Sequence, residues 1–379
     1  MLALSVSFAH AFADNLAGQI RAAQSAGDYQ KAAQLYRQLI ADGTDSPEVR
    51  SNLGMMLHLA GSNQEAMDQF RIALRQKPTL ASANLFAGLT EVDLGAPKEA
   101  LPLLKKAQQL DPRSPAPLLG LGKTYVALRD YGLANESYFK ATQLDPRLAE
   151  AWYGVGITDR SLAEQRLNKA ARGGPSVDQQ ALQKAAKDLL DRALEALKRA
   201  IELDPTSARP HLILAESFSE AGRLVDAIPE FEAAIKQDSN LDAAYLGLAT
   251  AYWRQGQFQD SLPLLKRVLA SSPQDPEANA MLADILEHDG QGAAAKQHAG
   301  IALAGNPDLM QAHVVLGRIY LAEKHPKLAI AELQKILAAD PDGSYHFLLF
   351  RAYKEAGDEK SARAALADFQ RLRHKDAKP

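Results

Sequence analysis

Apolar residues along this chain recur with the spacing of one helical face, and the pattern restarts about every 34 residues. Pro115 to Leu148 states it most completely. Leu118, Leu121, Gly122 and Tyr125 stand at i, i+3, i+4 and i+7, and Ala134, Tyr138 and Ala141 resume a similar spacing after the polar break Arg129-Asp130-Tyr131. Two amphipathic helices joined by a short turn are predicted. Gly122, Ala134 and Ala141 are small enough to let the two helices approach closely, with Tyr125 and Tyr138 filling the space between them. Pro146 ends the second helix, because it cannot continue one and biases Asp145 away from helical geometry.

The same markers return before and after this stretch. The small residue of the first helix is Gly54, Gly88, Ala215, Ala249, Ala283 or Gly317, and that of the second is Ala66, Ala100, Ala227, Ser261, Ala295 or Ala329. Prolines close the units at Pro78, Pro112, Pro273, Pro307 and Pro341, with Ser239 in one case. Pro102, Pro229 and Pro263 share one place early in the second helix, which predicts that each lies in a first turn, where the missing N–H has no intrahelical partner to lose.

A small residue at the eighth place and a proline at the thirty-second resemble the tetratricopeptide repeat, a helix-turn-helix unit. The resemblance runs over nearly the whole chain and implies an all-α, right-handed superhelical solenoid. Ten repeats are expected. Residues 1–13 are a signal-peptide-like segment, 14–148 hold repeats one to four, 149–207 the fifth, 208–343 repeats six to nine, and 344–379 the tenth with a basic tail. Arg351 at the small place and a polar end make the tenth a C-terminal cap.

The fifth repeat opens on Trp152-Tyr153-Gly154-Val155-Gly156 and closes on Ala193, Leu197 and Ala200, with an insertion over about 164–187. The helical pattern breaks at Arg172-Gly173-Gly174-Pro175 and resumes, so the insertion reads as a lengthened helical hairpin. Ser176 and Gln179 look like a capping box opening its second helix.

Charge and composition narrow the partners. There are 43 basic and 46 acidic residues, a net of -3, and no stripe that calls for nucleic acid. With no cysteines, disulfides, thiolate catalysis and cysteine metal sites are excluded. MLALSVSFAHAFA, ending in Ala11-Phe12-Ala13, reads as the apolar part and cleavage site of a secretory signal, without the usual basic start and too short for a stable membrane span. An exported chain, periplasmic or secreted, is expected, with a cytoplasmic one as the alternative.

Nothing in the sequence requires catalysis. Gly120-Leu121-Gly122-Lys123-Thr124 ends like a phosphate-binding loop, but residue 117 is proline where the first glycine is needed and the stretch reads as helix. The nine histidines show no paired ligand spacing with a histidine or carboxylate, and His211 and His313 take the place of Trp152, which points to packing. Asp159 is the odd carboxylate, standing where other units have Tyr125, Tyr252 or Tyr320; a register reset by the long hairpin accounts for it. The expectation is a non-enzyme with no cofactor and no metal.

The family resemblance implies that first helices line a concave groove with their second, fifth, ninth, twelfth and thirteenth places. Those places carry Leu85, Leu89, Leu119, Val126, Tyr153, Ile157, Leu212, Leu246, Trp253, Val314 and Leu321, a long apolar stripe. Of the asparagines and basic residues by which the family's acidic-tail receptors clamp a terminal carboxylate, Asn52 alone is matched, so no such clamp is expected. The function expected is a protein-interaction scaffold of a bacterial cell envelope holding a partner peptide or helix. Two alternatives remain: an accessory subunit of a separate enzyme or of an export or assembly complex, and an enzyme or metal binder in its own right.

Overall fold

A computed structural model of the chain describes residues 15–173, 178–340 and 342–375. The signal-like segment 1–13, Gly174-Pro175, Ser176, Pro341 and the tail beyond residue 375 lie outside them. Among the described residues every regular element is helical.

The chain divides into two compact units, one ending at Thr206 and one beginning at Ser207. In the first, α1 (15–25) pairs with α2 (Tyr29–Ala41), α3 (Pro47–Leu59) with α4 (Asn63–Gln76), and α5 (Ala81–Asp93) with α6 (Pro97–Leu110). Then α7 (Ala116–Ala127) pairs with α8 (Tyr131–Leu144), and α9 (Ala149–Arg172) with α10 (Gln179–Leu203). The second unit repeats the scheme: α11 (Ala208–Glu220) with α12 (Leu224–Gln237), α13 (Asp242–Arg254) with α14 (Phe258–Ser271), and α15 (Pro276–His288) with α16 (Gly292–Gly305). It ends in α17 (Met310–Ala322) with α18 (Pro326–Gln334) and α19 (Ser344–Glu355) with α20 (Glu359–Lys375). α18 stops after nine residues, and a 3-10 turn, Leu337–Ala339, finishes its hairpin.

Local signals start and stop these helices. Asp28, Ser46, Asp130 and Asp275 cap four of them by accepting the N–H three residues on, and Pro47 and Pro276 follow two of those caps in the first turn. Asp178 caps α10, its carboxylate accepting from the Ala181 N–H at 2.9 Å, while Ser176 of the expected capping box lies outside the described residues. Between paired helices the backbone turns through the left-handed region, at Gly95 and Gly256 for example, with φ of 76° and 74°. Arg129 and Lys324 occupy the same turn with φ of 59° and 62°, where a side chain is strained.

Pro102, Pro229 and Pro263 do not begin their helices as expected: each is the sixth residue, and helix extends a full turn upstream. All three are exposed. The carbonyl that loses its hydrogen bond therefore faces water, which removes most of the cost of an interior proline.

Packing within a pair turns on the small residue of the first helix. A Cβ added at Gly122 would lie 2.6 Å from the Tyr138 ring, and one added at Gly154 in the next repeat 2.4 Å from it, so Tyr138 is clamped between two first helices. Further along, Phe70, Leu104, Leu197 and Leu333 press on Gly54, Gly88, Gly156 and Gly317 in the same way.

A hydrogen bond ties successive repeats. The fourth residue of a repeat donates to the carbonyl of the preceding closing proline: Asn84 Nδ2 to Pro78 at 3.1 Å, Trp152 Nε1 to Pro146 at 2.9 Å, Asn279 Nδ2 to Pro273 at 3.1 Å, and His313 Nε2 to Pro307 at 2.9 Å. Three residue types make one bond. His313 is thereby a packing residue, its other nitrogen 2.6 Å from Glu332, and His211 sits likewise 2.6 Å from Glu230.

The fifth pair is nearly twice the usual length, 24 and 25 residues. At its base Asp159 is fully buried, accepting from Asn135 Nδ2 at 3.0 Å and Arg192 Nη2 at 3.1 Å. Burial raises the Asp159 pKa, with Arg192 and Asn135 opposing the rise. Arg192 comes from α10, so this carboxylate joins the long helices where they leave the stack's ordinary spacing.

Three stability changes are expected. Replacing Arg129 by glycine relieves a left-handed side chain, worth roughly 1–2 kcal/mol, against a flexibility cost of about 0.5–1 kcal/mol, so chemical denaturation should show a small gain. Asn279→Leu keeps the branched shape but orphans the Pro273 carbonyl and the His298 Nδ1 that lies 2.8 Å from Asn279 Oδ1, and should cost about 1–3 kcal/mol by the same measurement. His298 has its pKa lowered from 6.5 by burial, so the unfolded chain takes up its proton first on acidification. Stability should thus fall as pH drops below 6.5, and His298→Gln should flatten that fall in unfolding curves at pH 7.5 and 5.

Candidate functional site

The first helices of neighbouring repeats touch one another directly: α3 with α5, α5 with α7 and α7 with α9 in the first unit, and each of α11, α13, α15 and α17 with the next first helix in the second. Second helices reach the next repeat through the first helix between them. Helices of one kind come closest on the inside of a curve, so in each unit the first helices form the inner wall.

In the first unit Leu85, Leu89, Leu119, Val126, Tyr153 and Ile157 stand on that wall, all half-buried. Leu85, Leu89, Leu119 and Val126 lean on the cluster around Leu104, Leu118 and Leu121 while keeping part of their surface outward. Lys123 on the same wall is paired with Glu150 at 2.6 Å. The loop-like glycines lie inside α7, where Gly120 abuts Leu104 and the Thr124 hydroxyl donates back to the Gly120 carbonyl at 2.7 Å. No phosphate cradle can form there, because helix N–H groups are already bonded.

The second unit divides its stripe differently. Leu212, Val314 and Leu321 are core, at 9%, 7% and 3% exposure, whereas Leu246 and Trp253 are half-buried. Trp253 and Val314 also line a cavity of about 670 Å³. Asp284, Gln311 and Arg318 from α15 and α17 share the lining, and Tyr345, Phe347 and Leu348 close it from α19. Phe369 and Arg373 of α20 complete the wall.

A polar ladder crosses this cavity from repeat to repeat. Trp253 Nε1 donates to Asp284 Oδ2 at 2.8 Å, and Arg318 pairs with the other oxygen of Asp284 and with Glu287 at 3.0 Å. Asp284 and Arg318 hold the ninth place in consecutive repeats, which sets them side by side. Asp284 is only 4% exposed, and the indole and the guanidinium each hold one of its oxygens.

Asp284, Glu287 and His288 also have ligand atoms within 4.8 Å of one another. This corrects the sequence reading, which found no histidine at a ligand spacing from a carboxylate; the i, i+3, i+4 series on one helix was the available signal. Arg318 already lies on both carboxylates, and its guanidinium supplies the positive charge a metal would bring. Sequence reasoning also missed Tyr345, Phe347, Phe369 and Arg373, because it treated the last repeat only as a polar cap. Phe347 is 40% exposed, which no pattern in the sequence announces. Among the described residues no helix is long and apolar enough to cross a membrane.

Comparison with known proteins agrees with this architecture. Models of the tetratricopeptide repeat match residues 91–155, 184–251, 218–285 and 252–298, and a second form of the repeat matches 18–81 and 289–344. Over 116 residues the chain is 34% identical to lipopolysaccharide assembly protein B of Escherichia coli strain K12, 30% of this chain and 30% of that protein. It is 26% identical over 160 residues to DnaJ homolog subfamily C member 3 of Rattus norvegicus, 42% of this chain and 31% of the relative. The chain thus spans less than a third of the length of either curated relative. The crystal structure of yeast Tom70 aligns over 96% of this chain and 92% of its own at 16% identity, with a TM-score of 0.40. Proteins of this kind bind protein or peptide partners, and the fold supports an interaction scaffold. With repeat models matched over more than half its length, the chain belongs to the tetratricopeptide repeat family.

Proposed function

We propose that the chain is a non-catalytic scaffold that holds an extended or helical segment of a protein partner along the inner wall of its first helices. One observation carries this reading: the places on the first helices that face inward are apolar and keep surface unburied, at Leu119 and Tyr153 in the first unit and Trp253 in the second. Packing alone would bury them as fully as Leu212 or Leu321. Apolar surface retained along a groove is what recognition of an amphipathic segment uses.

The proposed setting is a bacterial cell envelope. Its support is the signal-like sequence of residues 1–13 together with the partial likeness to a lipopolysaccharide assembly protein. That likeness also favours a second reading, in which the chain is the accessory subunit of a separate enzyme or of an export or assembly complex. The two readings differ in what the partner is rather than in which surface binds it.

A crosslinked pull-down from the native cell, comparing the intact chain with a variant carrying Leu119→Ser, Tyr153→Ser and Trp253→Ser, tests the surface. The variant should lose its partner while far-UV circular dichroism shows unchanged helix content. An identical partner list from both proteins would refute the groove as the working surface.

A further inference from the structure

Two of the groove places, Trp253 and Val314, line the cavity of the second unit, and the chemistry of its walls specifies more than a generic peptide. Resting on the scaffold reading above, we propose that this cavity takes a large aromatic or aliphatic side chain of the partner peptide, with a carboxylate of a neighbouring peptide residue on Arg373.

Size comes first. At about 670 Å³ the cavity lies within the usual 300–1,000 Å³ range of ligand sites, which exceeds the needs of one side chain and leaves room for the backbone beside it. Its floor is apolar, built on Val314 and Leu348, and Phe347 stands on its wall 40% exposed with its ring 5.2 Å from that of Phe369. An aromatic left this far in water is stabilised when a second apolar group covers it.

Charge then selects the neighbour. Arg318 is spent, since Asp284 and Glu287 both hold it. Arg373 is different: its guanidinium lies over the Phe369 ring at 5.7 Å, and among the described residues it forms no ion pair. Asp342 feels the field of Arg373, yet its carboxylate is engaged by the Ser344 N–H at 3.0 Å. Among the described residues the cavity therefore offers one guanidinium that is in no ion pair, beside an aromatic wall, and it complements an apolar side chain next to an acid. Continuity with Leu246 and Trp253 along the first helices favours a peptide over a free aromatic acid.

The test is a selection of random heptapeptides displayed on phage against the full chain, repeated with Arg373→Glu, with Phe347→Ser, and with Leu119→Ser/Tyr153→Ser. The intact chain should enrich peptides bearing a large apolar residue with Asp or Glu one or two places away. Arg373→Glu should switch that preference to Lys or Arg, and Phe347→Ser should reduce recovery at least tenfold, with circular dichroism unchanged in both. If intact chain and Arg373→Glu select the same charges, or Phe347→Ser recovers peptides as well as the intact chain, the inference is overturned. In that event, peptides still lost on Leu119→Ser/Tyr153→Ser would leave the scaffold reading standing. Enrichment of no peptide at all would overturn both.

Discussion

Where glycine holds the small place of the first helix, the distance between the two helices of a repeat is set by a side chain pressed against a residue with no side chain. Tyr138 shows it best: its ring lies where a Cβ on Gly122 or on Gly154 would collide, so one tyrosine fixes the spacing both within the fourth repeat and onto the fifth. Phe70, Leu104 and Leu333 do the same against Gly54, Gly88 and Gly317. Because the contact is steric, it leaves little freedom in how a first helix is rotated about its axis. That rotation decides which residues face the groove, and so the packing constraint and the binding surface are one arrangement seen from two sides.

Links between neighbours carry the arrangement along each unit. The bond from the fourth residue to the preceding closing proline is made by asparagine, tryptophan or histidine, which suggests that the geometry rather than the residue is what the stack needs. Asp159 is a second kind of link, used where the long hairpin disturbs the spacing and tyrosine is replaced by a buried acid held from two helices. A stack of this type gains its stability locally, repeat by repeat. Ligand contacts at one end of a unit are then free to vary without cost to the other.

The fold was legible because its determinants are local and periodic: Gly122, Ala134 and Pro146 announce a close-packed hairpin within one stretch of sequence. The site was legible only in part. Trp253 and Val314 could be placed on the inner wall by counting, but Asp284 meets Arg318 from 34 residues away, and Arg192 meets Asp159 from 33. No single-repeat pattern reveals such pairs, since each partner looks like an ordinary charged helix residue. Phe347 and Arg373 were hidden by a different cause, the assumption that a terminal repeat only needs to be polar. Pro102 misled through its chemistry: an interior proline is tolerated when its unpaired carbonyl can reach water, and exposure is invisible in sequence.

Everything functional in this account rests on the inner wall being the surface that meets a partner. Hydrogen-exchange footprinting of the chain alone and with its captured partner addresses that directly. The account predicts slowed exchange concentrated in α7, α9, α13 and α17 and at the start of α19 around Tyr345 and Phe347. Protection confined to the outer faces of α6, α8 and α14, or to the far end of the long hairpin around Arg172, would contradict it.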